Sequence, residues 1–168
     1  MTQKNAALVE ETTAAAQSMA GQARDLKDLM AFFITDSRRG ATSMTRHIAL
    51  VEATKIDHVN FRKRVDDSLA GHGDATADTL PDHHQCRLGK WYDGIQEPAV
   101  RKSPAFAAIA APHAAVHEAA RTALRQNESG NPAGVQQALG TMTENSKALM
   151  TLLDALAGDL RGRGRRQA

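Results

Sequence analysis

An all-α protein is the fold class this sequence predicts, on three observations. Only 4% of its 168 residues are aromatic while Ala and Leu abound, a composition that suits helices packed through small side chains and lacks the β-branched and aromatic residues of a β-sandwich. Apolar residues recur at helical spacing in four stretches, and Pro and Gly fall mainly between them. The length suits one domain with a core, or a smaller domain with an extended element attached.

The first stretch, Leu8 to Phe33, contains no Pro and one Gly. Leu8, Ala15, Met19, Leu26, Leu29 and Phe33 follow a 3,4 spacing with polar Thr12 and Gln22 between them, the pattern of a coiled-coil helix. So thin a stripe needs a partner helix; an ordinary surface helix is the alternative. Residues 35–42 are polar and contain Gly40, a linker signal. Ser43 can cap the next helix, in which Met44, Ile48, Val51, Val65 and Leu69 share a face. Gly71, Gly73 and Pro81 then break the pattern into a long loop. Ser103 followed by Pro104 is a helix start in which Ser can satisfy a free N–H, and Pro112 is expected to kink or restart that helix. After the turn ESGNPAG, Val135, Leu139, Met142, Leu149, Leu153, Leu156 and Leu160 supply a last amphipathic helix.

Twenty-one basic and 19 acidic residues leave a formal charge of +2, much of it in the final RGRGRRQA, which does not suggest a nucleic-acid binder. Nothing approaches the roughly 18 uninterrupted apolar residues that span a bilayer. A lone cysteine and no signal peptide fit a reducing cytosol, so the chain is expected in the cytoplasm. Its start inside a helical pattern reads as the C-terminal part of a longer protein.

That cysteine, Cys86, lies in HQCRLGKWYDG, with His113 and His117 four apart downstream and His58 seven residues from both Val51 and Val65 on the second helix. One thiolate and three imidazoles are the four ligands of a closed zinc site. Spacings of 28, 27 and 4 residues are too wide for a compact finger, so a helical fold must gather them. On a helix His113 and His117 project from one face, yet Ala114 stands where a metalloprotease helix carries Glu, which disfavours hydrolytic zinc chemistry. Taken singly, each histidine also reads as a core residue and Cys86 as a buried inert thiol.

HQCRLGKWYDG, preceded by KIDHVNFRKRV and followed by APHAAVHEAA, resembles the chemoreceptor zinc-binding domain, whose pattern joins a helix His, a C-R-x-G-x-W-Y segment and an H-x-x-x-H pair. The resemblance covers about residues 44–160. It implies an antiparallel four-helix bundle with a short cysteine-bearing helix, holding one Zn2+ per chain through His58, Cys86, His113 and His117. Trp91 and Tyr92 match its aromatic pair and are read as packing residues, with Gly89 permitting a tight turn. His47, His72, His83 and His84 have no counterpart in the pattern.

Residues 3–33 similarly resemble the C-terminal end of the cytoplasmic coiled coil of a methyl-accepting chemotaxis receptor. Ala6, Ala7, Glu10, Glu11, Ala14 and Ala15 meet its A-A-x-x-E-E-x-x-A-A pattern, which implies methylation at Glu11. The expected organisation is a coiled-coil helix at 1–34, a linker at 35–42, the zinc bundle at 43–160 and a basic disordered tail at 161–168. The resemblance implies a sensory module of a soluble bacterial chemoreceptor, a homodimer through its coiled coil. It would reach array components through receptor parts outside these residues and respond to zinc, or to hypochlorous acid at a redox-sensitive Cys86. A structural zinc bundle mediating dimerisation, and a mononuclear zinc enzyme, are the alternatives.

Overall fold

The computed structural model describes residues 43–164. The expected coiled-coil helix at 1–34, Glu11, the linker at 35–42 and residues 165–168 lie outside the described residues. Five helices follow in order: α1 (Ser43–Leu69), α2 (Arg87–Gly94), α3 (Pro98–Arg101), α4 (Pro104–Glu128) and α5 (Pro132–Gly164). The all-α expectation holds, with no strand among the described residues. Three of these helices are long and two short, so the described residues do not contain a fourth long helix.

Helices α4 and α5 form an antiparallel pair closed by a turn of three residues. Gly130 takes a left-handed φ of 68° there, a conformation that costs glycine least. Asn131 then caps α5, its Oδ1 accepting from Gly134 N–H at 3.1 Å, and Pro132 takes the first helical position, where no N–H is needed. Helix α1 lies antiparallel to α5: Lys55 Nζ donates to Asp154 Oδ1 at 2.7 Å and Arg161 Nη2 to Glu52 Oε1 at 2.6 Å. Arg161 thus sits in helix, and residues 161–164, expected in a disordered tail, extend α5 by a turn that Glu52 holds.

Two further expectations change. Helix α4 runs unbroken through Pro112, because a proline forfeits one hydrogen bond locally while the packing of Ile109, His113 and Val116 against the core holds both flanking turns. Ser103, the N-cap residue of α4, makes no side-chain cap; its hydroxyl instead donates to Asp159 Oδ2 at 2.6 Å, fastening the start of α4 to the end of α5.

Two apolar clusters form the core. One gathers Val51, Leu88, Ile95, Val100, Phe106, Ile109, Leu149, Leu153, Leu156 and Leu160; the other gathers Val65, Leu80, Val116, Ala119, Ala120, Leu124 and Met142. Between them each long helix carries a polar layer. It comprises Thr54 and His58 on α1, His113 and His117 on α4, and Ser146 on α5, all buried.

Candidate metal centre

The short helix α2 exists because Cys86 caps it. Its Sγ accepts from Gly89 N–H at 3.3 Å, the role that Ser or Asp usually takes at an N-cap. Gly89 is needed for a different reason from the one expected. It lies within α2 and makes no tight turn; a Cβ at this position would collide with the His83 carbonyl oxygen. Only glycine lets the loop backbone lie so close to the helix, and this approach sets the sulfur beside α4.

There Cys86 Sγ lies 3.2 Å from His113 Nε2. The ligand atoms of Cys86, His113 and His117 all fall within 4.8 Å of one another, the one such group of three among the described residues. The imidazoles of His113 and His117 have centroids 4.9 Å apart and planes at 81°. Tetrahedral zinc at ~2.3 Å from sulfur and ~2.05 Å from nitrogen needs an S···N edge of about 3.6 Å and ring centroids about 5 Å apart. These residues therefore fit zinc in donor type, and the Cys86–His113 and His113–His117 spacings lie near those that a shared ion needs.

His58 is brought to the same place but stands apart from the triad. It lines, with Cys86, His113, His117, Thr54, Asp57 and Phe61, a cavity of about 30 Å³, room for one small ion or one water. Phe61 packs against both rings, stacked at 6.4 Å from that of His58 and tilted at 4.5 Å from that of His117. The Nε2 of His58 faces Ser146 Oγ at 3.4 Å.

The electrostatics of the three imidazoles suit metal ligation. Burial, reinforced by the neighbouring His117, pulls His58 down to about 4, and burial with the same neighbour pulls His113 down to about 3. His117 is lowered too, again chiefly by burial. All three imidazoles are thus neutral at pH 7, the form that binds a metal. Burial raises the Cys86 thiol, a shift that its bonds from Gly89 and Leu88 N–H oppose. His117 Nδ1–H donates to the Pro81 carbonyl at 2.9 Å, which leaves Nε2 as the lone pair, an outer-shell arrangement familiar from metal-bound histidine.

Several contacts of this region join residues far apart in the chain. His47 accepts the Trp91 indole N–H on Nδ1 at 3.2 Å, and Trp91 and Tyr92 both pack on Phe106, at centroid distances of 5.8 and 4.4 Å. Arg87 pairs with Asp57 at 3.1 Å, tying the first turn of α2 to α1. His83 and His84 stack at 3.9 Å on the surface, and His84 Nδ1 meets Asp93 Oδ2 at 2.7 Å. That ring spacing is shorter than the roughly 5 Å of two imidazoles sharing a tetrahedral ion. The W and Y of the cysteine segment were visible signals; His47 and Ser146 gave none, since their partners lie 44 and 88 residues away.

Comparison with protein families matches residues 58–124 to the chemoreceptor zinc-binding domain. The matched span includes all four expected ligands and ends before α5. Comparison with curated proteins and with solved structures gave no match.

Proposed function

From the match of residues 58–124 to the chemoreceptor zinc-binding domain, we propose that the chain is the zinc-binding regulatory module of a soluble, cytoplasmic bacterial chemoreceptor. It holds one Zn2+ through His58, Cys86, His113 and His117 and passes changes at that site to a coiled coil at residues 1–34, through which it dimerises. The observation that carries this reading is the convergence of Cys86, His113 and His117 within 4.8 Å. Among the described residues no helix is long and apolar enough to cross a membrane. The module is a sensor and not an enzyme, because four protein ligands fill a tetrahedral ion and leave no open position for substrate.

Bound zinc would supply one thing here, a Cys86 sulfur kept as thiolate, the nucleophilic form. A thiolate and hypochlorous acid give sulfenic acid and chloride, RS⁻ + HOCl → RSOH + Cl⁻, with sulfur losing the two electrons that chlorine gains. The added oxygen falls on the atom that caps α2. A disturbed cap is felt in α1 by two routes, the Arg87–Asp57 ion pair and the Trp91–His47 hydrogen bond. His47 lies in the second turn of α1, towards the upstream segment.

Metal analysis of the purified protein tests the reading. About one zinc per chain is expected in the wild type, with loss in Cys86→Ser and in the double variant His113→Ala, His117→Ala. Full occupancy in the double variant would refute it. Deleting residues 1–33 should shift a dimer towards monomer and leave zinc content unchanged; a dimer that survives would place the interface on the bundle.

A further inference from the structure

Along α5 the buried positions Met142, Ser146, Leu149, Leu153, Leu156 and Leu160 follow a 4,3,4,3,4 spacing, a continuous seam with one polar member. Ser146 is 9% exposed. A hydroxyl in such a seam is unfavourable unless bonded, and a helix of this type gains more from an apolar residue there. Thr54, the other buried hydroxyl of the layer, satisfies itself within its own helix by donating to the Val51 carbonyl at 2.8 Å. Ser146 does something different: the partner its hydroxyl finds is His58 Nε2, across the bundle on α1.

From this pairing we infer that Ser146 is a positioning residue of the metal centre: it accepts Nε2–H from His58 and thereby commits Nδ1 as the nitrogen that ligates. The inference rests on the zinc reading above. Its logic is that of ring tautomers. If Ser146 donated to Nε2, the proton would sit on Nδ1 and both nitrogens would be occupied; only the tautomer with Nε2–H towards Ser146 leaves His58 a lone pair for a metal. His117 is committed in the opposite sense, its Nδ1–H held by the Pro81 carbonyl and Nε2 left free. The centre would then use Nδ1 from α1 and Nε2 from α4. Helix α5, beyond the residues matched to the zinc-binding family, completes it without supplying a ligand.

The test compares wild type, Ser146→Ala and Ser146→Thr, each loaded with Zn2+. Two readouts are used: chelator competition for affinity, and long-range ¹H–¹⁵N correlation of the imidazoles for the ligating nitrogen. The wild type should show His58 bound through Nδ1 and His117 through Nε2. Ser146→Ala should weaken zinc binding on the order of 10-fold and lose the single His58 tautomer in the zinc-free protein, while Ser146→Thr, which keeps the hydroxyl, restores both. Ligation through His58 Nε2, or unchanged affinity and tautomer in Ser146→Ala, would overturn the inference while leaving the zinc reading intact. A wild type that binds no zinc would instead overturn the reading itself.

Discussion

The two apolar clusters on either side of the polar layer are built differently. Around Leu149, Leu153, Leu156 and Leu160 the side chains are large, and the short helices α2 and α3 contribute Leu88 and Val100 to close the core. The other cluster relies on Ala119, Ala120 and Met142, and it is covered by the irregular loop of residues 70–86 through Ala75, Ala77 and Leu80. Hydrogen bonds pin that loop: Arg121 Nη2 to the Leu80 carbonyl at 3.1 Å, His117 Nδ1 to the Pro81 carbonyl and Ala75 N–H to Ser68 Oγ at 3.0 Å. A few polar bonds close one side of the molecule where bulky side chains close the other. The loop ends at Cys86, so the half-buried member of the site is carried by the side held with few polar bonds, where a local change can spread.

Zinc is expected to invert that ranking. At a thousand times its Kd it should stabilise the wild type by about 4 kcal/mol, read as a chelator-sensitive urea midpoint, with amide protection gained chiefly in residues 75–86. An unchanged midpoint would break the comparison. In chelated protein the same layer should make stability depend on pH. His58 and His113 titrate near 4 and 3 when folded against an ordinary 6.5, so between those values the unfolded chain holds more protons. Stability should be full above about pH 6.5 and fall as pH drops towards 4, which urea titrations at several pH values would measure.

On the leucine side, Leu153→Ala should cost about 2–5 kcal/mol, because Leu153 is fully buried. Zinc stoichiometry should stay at one, since Leu153 does not line the metal cavity. Gly89→Ala comes next, at about 1–3 kcal/mol for a Cβ forced against the His83 carbonyl. It should also weaken zinc binding, as the clash displaces the segment that carries Cys86; equal affinity in the variant would show that α2 is free to shift. Arg161→Ala should change stability least, by about 1 kcal/mol or less, because the Glu52 pair is half exposed. Thermal denaturation with and without zinc would register all three substitutions.

The legible parts of the site were those that each segment declares locally. His58 stands on an apolar stripe, His113 and His117 are one turn apart, and Cys86 sits in an unusual segment. Ser146 was invisible because a serine in a leucine seam reads as a gap until the facing helix is known. Pro112 misled because its lost hydrogen bond is local, whereas the packing that carries α4 through it is not. Residues 161–164 read as tail from their charge, and the Glu52 that pairs with Arg161 comes from α1, 109 residues away.

By itself the sequence determined the helical class, the long loop around Gly71, Gly73 and Pro81 and the chemical identity of the donors, because periodicity and clustered turn residues act within a few residues of chain. Only the tertiary structure decided which atoms meet. It brought His83 onto Gly89, aimed the His117 proton at Pro81, set His58 against Ser146 and left His58 outside the close triad of the other three candidates. Those outcomes depend on how far apart α1, α4 and α5 come to rest, and side-chain volume across the whole core sets that distance.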